Sequence, residues 1–388
     1  MRNKVNNLKT TNMRILFCFF LAAFLWVLPK DAHTQQQDIK PLEIGQPAPD
    51  FDLPGIDGRN YTLADFDQYE VLFIVFWANH CPTAQAYEDR LIEMVNTYRP
   101  RGVGFVAISP NSPQAVSLAE LGYTDVGDDF NDMVIRAADK GYNFPYLYDG
   151  DDHRGSIPYG PVATPHVFIL DSERILRYRG RIDDTENPYI EPNTSDAADA
   201  LEALLAGTEV EVKVTPSFGC SIKWKWNDQW KNTLDRQWAE MPVTVEMIGI
   251  EEIKELIAND SDKLRLVNMW ATWCGPCIVE FPDLVSIYRM YRGRNFEFIS
   301  ISADNPRRDD NVLSFLQKKQ AANRNYLYNE TDKYALIEAV DTEWQGALPH
   351  TLLIAPGGKL VARYAGIIDP LTVKRDIVGY LGRYFADD

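Results

Sequence analysis

The sequence predicts an α/β protein made of two related halves, each a central mixed β-sheet flanked by helices. Three observations carry this expectation. WANHCPTA (77–84) and WATWCGPC (270–277) both place a cysteine four residues after a tryptophan, at the end of an apolar run. ATPHVFILDSERILRYRGRID (163–183) lines up with ALPHTLLIAPGGKLVARYAGIID (347–369), both reading X-Pro-His, strand, turn, strand, Gly, Ile-Asp. The order strand, Cys, helix, strand, helix, Pro-His, hairpin therefore occurs twice. Strands alternating with helices imply βαβ units, and 388 residues suffice for about two cores. The period is too long for a solenoid and reads as an internal duplication.

The chain opens with Arg2, Lys4, Lys9 and Arg14 ahead of ILFCFFLAAFLWVL (15–28) and the polar KDAHTQQQ. That pattern reads as a signal peptide, residues 1–34, and predicts an exported, periplasmic protein. The apolar run is shorter than the ~20 residues of a spanning helix; the alternative is an uncleaved membrane anchor. Cys18 lacks a lipobox context. The formal charge is −17 and becomes more negative once the basic leader is gone, which argues against nucleic acid and anionic membranes as partners.

Next comes a Pro-rich lead-in, DIKPLEIGQPAPDFDLPG (38–55), and a first domain is expected over 42–222. VLFIVFWA (71–78) reads as a strand buried on both faces. A helix over 83–99, the strand GVGFVAIS (102–109) and the amphipathic helix TSDAADALEALLAG (194–207) follow. KWKWNDQWKNTLDRQWAEMP (223–242) is a Trp-rich connector. Its Trp230, Leu234 and Trp238 share one helical face, which favours packing between domains over a carbohydrate platform. The second domain is expected over 243–388, with strands LRLVNMWA (264–271) and FEFISIS (296–302) around a helix at 275–292. The acidic clusters DVGDD (125–129) and DGDDH (149–153) fit no EF-hand and read as solvated loops.

Four cysteines remain after export, too few for a disulfide scaffold. A strand ending in Trp-Cys-Gly-Pro-Cys sets Cys274 at a helix start, facing unpaired backbone N–H groups and the positive end of the dipole. Such a thiol is pulled to about 7 or below, from near 8.5. The thiolate is the attacking species in disulfide exchange, and Cys277, one turn on, can attack the resulting mixed disulfide. Pro276 suits the first helical turn. A structural staple would close too small a loop to constrain much, and the second half of a zinc site is missing.

VNMWATWCGPCIVEFPDL resembles the active site of a thioredoxin-fold protein, most closely the TlpA/ResA-type thiol–disulfide reductases, over nearly all of 243–388. The resemblance extends to Pro282 and to LPHTLLI (348–354). It implies a thioredoxin-like domain, with Pro349 as the cis-proline that sets backbone beside the sulfurs for an extended substrate. It also implies that Glu280 relays protons; judged alone, Glu280 would be an ordinary helix-surface residue. Asn268 stands where thioredoxin has a buried Asp, so proton transfer falls to Glu280, water or another group. The implied partners are disulfides of exported proteins and an upstream membrane electron donor.

FWANHCPTAQAYEDRL and PSFGCSIKWK resemble the redoxin (AhpC/TSA, peroxiredoxin-like) branch of the same superfamily, over about 42–226. Two departures stand out. Ala84 removes the local second thiol, and Ile74 and Ala78 replace the Pro and Thr of a peroxide-binding Pro-x-x-x-Thr-x-x-Cys. Cys81 sits at a predicted helix start behind His80, with His166 after Pro165 as a second imidazole. Cys81 and Cys220 are read as an attacking and resolving pair, a static disulfide, or two unrelated thiols. No phosphate loop, GxSxG or HExxH is present; no cofactor or metal is expected, and a Cu(I) site at Cys81, His80 and His166 lacks a supporting CxxxC.

The leading function is CxxC-dependent reduction or isomerisation of disulfides in exported proteins. One alternative is a peroxidase using Cys81 and recharged by the Cys274/Cys277 dithiol. Another makes the first domain a non-catalytic docking module.

Overall fold

Val71–Phe76 is apolar and buried at every position, as a strand covered on both faces must be. It lies at the centre of a five-stranded sheet ordered Tyr146–Tyr148, Val103–Ser109, Val71–Phe76, His166–Leu170, Leu176–Gly180. The first three strands run parallel and the last two join antiparallel. Side chains alternate between faces: Phe73 and Val75 pack with Leu91 and Leu201, while Leu72 and Ile74 pack with Phe51 and Tyr159.

The second half repeats the scheme. Leu264–Trp270 is central in a six-stranded sheet, ordered Glu246–Ile248, Arg324–Tyr328, Phe296–Ser302, Leu264–Trp270, His350–Ala355, Lys359–Ala365. Val267 and Met269 face Ile253 and Leu336; Leu264 and Leu266 face Leu284 and Ile377. The architecture is thus the predicted α/β class, with two mixed sheets flanked by helices. The computed structural model describes residues 39–384, which belong to one compact unit. The expected signal peptide lies outside the described residues, and no described helix is long and apolar enough to cross a membrane.

Register positions both cysteine loops. Phe76 pairs with His166, which brings the turn after Val71–Phe76 beside Thr164 and Pro165. Met269 pairs with His350, which brings the Trp-Cys-Gly-Pro-Cys turn beside Leu348 and Pro349. Both X-Pro bonds are cis.

Two expectations need correction. The first-half helix is not continuous: Pro82–Ala86 and Glu88–Tyr98 part at Tyr87, whose φ and ψ are −90° and −4°. The Tyr87 hydroxyl is drawn to Asp183 Oδ1 at 2.6 Å. In the second half Gly275–Tyr291 runs unbroken, even through Pro282. Nor does the connector bury one continuous Trp face. The helix Gln229–Ala239 buries Trp238, beneath Arg289 and Arg292, whereas Trp230 is 59% exposed. Upstream, Trp224 and Trp226 stack at 5.5 Å and present their rings to the buried His153. Lys225 N donates to His153 Nε2 at 2.9 Å, so this stretch packs on the first half.

The halves meet through a first-half loop and, outside it, through Arg375 on Asp139 and Arg383 on Gln85. The short turn Leu118–Leu121 lies against Gly275–Tyr291, with Leu118 and Leu121 on the apolar cluster of Leu284 and Met290. Tyr291 Oη donates to Thr124 O at 2.7 Å, and Arg383 Nη1 donates to Asp125 Oδ1 at 2.6 Å.

Candidate active site

Cys274 is the N-cap of Gly275–Tyr291, with extended backbone (φ −88°, ψ 102°), and Pro276 occupies the first turn. Its sulfur accepts from Cys277 N at 3.3 Å, one of the donors a helix start leaves unpaired. The pair is joined as a disulfide. Cys277 is fully buried and Cys274 is 6% exposed, while the neighbouring Trp273 is 65% exposed. Any partner disulfide would therefore approach Cys274 across an exposed indole. Thr272 fixes the preceding turn through two contacts of 2.7 Å to Asp304.

Glu280 lies one turn past Cys277 on the same helix and is fully buried. Burial pushes its carboxyl up to about 7; the Ile368 amide and Asn268 work against that rise. Asn268 Nδ2 donates to Glu280 Oε1 and to Thr351 Oγ1, both at 2.9 Å, and Ile368 N donates to Glu280 Oε2 at 2.9 Å. Among the described residues, Asn268 Oδ1 has no hydrogen-bond partner. The site thus holds a carboxyl that exchanges a proton near neutrality, clamped by an amide that cannot titrate.

Pro349 sits at the edge beside this turn. Gly346 and Ala347 are exposed and Leu348 is half-buried, and among the described residues no strand pairs with Ala347 or Leu348. Its neighbour His350 contacts Asp341 at 3.0 Å and stacks on Trp344 at 5.0 Å; its pKa is lowered, chiefly by burial.

In the first half Cys81 caps Pro82–Ala86 in the same manner. It is fully buried, and its sulfur accepts from Ala84 N at 3.5 Å and lies 3.0 Å from Thr164 O. His80 Nδ1 is 2.5 Å from Asp128 Oδ2, and both residues are buried. Asp128 also accepts from the amides of Asn79 and His80 and from Asn111 Nδ2. Burial opposes ionisation of both, but each partner favours the charged form of the other; His80 is raised and Asp128 lowered. Burial also opposes a Cys81 thiolate. The Cys220 thiol, the His80 imidazolium and the amides of Ala84 and Cys220 outweigh it and bring Cys81 down to about 6. Cys220 moves the opposite way, raised by donating to Cys81 and by burial.

Cys81 and Cys220 are therefore brought together as two thiols. Cys220–Ser221 forms a short strand antiparallel to Ala163–Thr164, with Cys220 opposite Thr164. His166 does not join them: its Nδ1 accepts from Val162 N at 3.2 Å, and burial with Arg179 pushes it down to about 3.

The acidic clusters match the expectation only in part. Asp129, Asp151 and Asp152 are exposed as expected, whereas Asp125, Asp128 and Asp149 are at most 3% exposed. Asp149 accepts from Ser156 N and Oγ, and burial raises it to about 6. Asp128 is the residue of the candidate site that sequence reasoning missed. Its only signal was an acid-rich loop with no ion to hold, 48 positions from its histidine.

The family profile that matches this chain is that of the AhpC/TSA family, over residues 44–179 and 249–363. The chain is 28% identical over 169 residues to the thiol:disulfide interchange protein DsbE of Escherichia coli (strain K12), covering 42% of this chain and 80% of that protein. For the DsbE protein of Haemophilus influenzae the identity is 29% over 173 residues, covering 42% and 81%. Among solved structures, a hypothetical protein from Sinorhizobium meliloti 1021 is 32% identical, covers 48% of this chain and 97% of that one, and has a TM-score of 0.43. A thiol:disulfide interchange protein from Chlorobium tepidum TLS is 17% identical, covers 43% and 99%, and has a TM-score of 0.31.

Proposed function

The chain belongs to the AhpC/TSA family, and on that premise we propose a thiol–disulfide oxidoreductase whose working pair is Cys274 and Cys277, acting on disulfides of exported proteins. The second half is read as a TlpA/ResA-type domain in tandem with a redoxin domain. One observation carries the reading: a Cys-Gly-Pro-Cys pair caps a helix that buries a carboxyl, Glu280, one turn further on.

In the reducing direction, the Cys274 thiolate attacks one sulfur of the substrate disulfide, and the other sulfur leaves as a thiolate and takes a proton. Cys277 gives up its proton and attacks Cys274, which releases the second substrate sulfur as a thiol and closes the Cys274–Cys277 disulfide. Glu280, able to hold or accept a proton near pH 7, serves the Cys277 step. Leu348 and Pro349 align an extended substrate. An upstream donor, read as a membrane protein, must then return two electrons.

A second reading is favoured by the lowered Cys81 pKa and its contact with Cys220. Here Cys81 is an attacking thiol and Cys220 resolves it, with a hydroperoxide or a small disulfide as oxidant. Insulin reduction and hydroperoxide turnover, each measured for wild type, Cys81→Ser and Cys274→Ser, separate the two. Insulin reduction lost only in Cys274→Ser supports the first reading; its survival in that variant contradicts it. Peroxide turnover lost in Cys81→Ser supports the second.

A further inference from the structure

The two halves treat the same backbone edge differently. In the second half, among the described residues, no strand pairs with the residues before Pro349. In the first half the equivalent residues, Ala163 and Thr164 before Pro165, are paired by the chain's own Cys220–Ser221. The paired segment presents a cysteine opposite Thr164, whose carbonyl lies 3.0 Å from Cys81 Sγ. A cysteine-bearing strand docked on that edge, sulfur against sulfur, is the arrangement a substrate peptide would need there.

The fit of the segment is specific. Gly219 has a φ of +130°, and a Cβ on it would stand 2.1 Å from Thr164 O, so only glycine permits this approach. Phe218 lies against Tyr87 at 6.3 Å, and Ile222 is buried. Lys223 N then donates to Asn111 Oδ1 at 2.8 Å, and Ser112 N to Lys223 O at 2.8 Å. The strap is held on both sides of Cys220, while Cys220 itself stays partly accessible.

We propose that residues 217–222 are a built-in pseudosubstrate covering a second peptide-binding edge, which takes an extended, cysteine-bearing polypeptide once the strap is lifted. The proposal rests on the reading of Cys81 as an attacking thiol and extends it. With the strap down, Cys81 meets Cys220 and is closed to polypeptide disulfides. With the strap off, Cys81 attacks a peptide disulfide: a Cys81–peptide disulfide forms and the departing sulfur leaves as a thiol. Return of Cys220 to Thr164 then lets its thiolate attack Cys81, expelling the peptide as a thiol and leaving a Cys81–Cys220 disulfide. The peptide disulfide is reduced and the cysteine pair is oxidised by the same two electrons.

The test uses full chains carrying Cys274→Ser, Cys277→Ser and Cys220→Ser, with and without Gly219→Val. The probe is the peptide Ser-Phe-Gly-Cys-Ser-Ile, its cysteine activated as a mixed disulfide with thionitrobenzoate; iodoacetamide serves as a small-molecule control. The expected result is peptide capture on Cys81 at least about tenfold faster in the Gly219→Val chain, with a smaller change in alkylation. Equal capture by both chains overturns the proposal, because the strap then masks nothing. Fast alkylation without capture also overturns it, because the uncovered edge is then no peptide site, although Cys81 remains a reactive thiol. Failure of both probes in the uncovered chain overturns the proposal together with the thiol reading. Should Gly219→Val fail to fold by circular dichroism, Phe218→Asp replaces it, lifting the strap without a backbone clash, and the same outcomes apply.

Discussion

His80 Nδ1 lies 2.5 Å from Asp128 Oδ2, and the two form a buried pair next to Cys81. The carboxylate comes from the loop that also joins the halves, since Asp125, three residues earlier, pairs with Arg383. One loop thus ties the electrostatics of the first cysteine to the packing of the second half.

The Asp128→Asn variant tests the first end of that loop. An amide still accepts from the Asn79 and His80 backbone, but no longer supports an imidazolium. The Cys81 midpoint should move from about 6 toward the ~8.5 of a free thiol. Alkylation of Cys81 at pH 6.5 should slow by about tenfold or more. An unchanged pH–rate curve would show that His80 carries no charge there.

Arg383→Ala tests the other end. Asp125 is nearly fully buried; burial would raise its pKa, yet Arg383 lowers it. Loss of the arginine leaves that carboxylate with Arg375 at 3.4 Å as its remaining ion-pair partner. The expected cost is about 1–3 kcal/mol at pH 7, below that of a fully buried pair because Arg383 is partly exposed. A carboxyl lowered on folding stabilises above its unfolded pKa and loses that contribution as pH falls through the folded value. The gap between variant and wild type in urea melts should therefore close toward pH 3.

Glu280→Gln has the opposite sign. A carboxyl raised on folding, from 4.5 to about 7, contributes fully below the unfolded value and loses that contribution as pH rises through the folded one. The glutamine chain should therefore be more stable than wild type at pH 8, by about 1–3 kcal/mol, and equal to it near pH 4. The rate of the Cys277 step, measured on a preformed mixed disulfide at Cys274, should also lose the inflection near pH 7 that Glu280 gives it. A stability gain with the inflection intact would mean that Glu280 is structural and another group moves the proton.

The fold was legible because its signals are local and doubled. Two apolar strands, two Trp-x₃-Cys turns and two Pro-His hairpins mark the central strands and the cysteine loops. Residues 274–277 announce their chemistry within four positions. What stayed hidden depends on contacts between distant segments. Nothing around Asp128 shows that it meets His80, and nothing in PSFGCSIKWK shows that Cys220 pairs opposite Thr164. The contact of Tyr87 was hidden for the same reason: its hydroxyl meets Asp183, far along the chain. Tertiary partners also explain why Trp238 is buried while Trp230, two turns earlier on the predicted face, is not.

The central claim is that Cys274, freed from its disulfide, is a thiolate at neutral pH, and its alkylation rate as a function of pH tests this most directly. The experiment uses the reduced chain carrying Cys81→Ser and Cys220→Ser, with iodoacetamide and mass mapping of the labelled peptide. The expected midpoint for Cys274 is about 7 or below, with Cys277 labelled far more slowly. A midpoint near ~8.5, that of free cysteine, would contradict it and leave the helix cap without a chemical role.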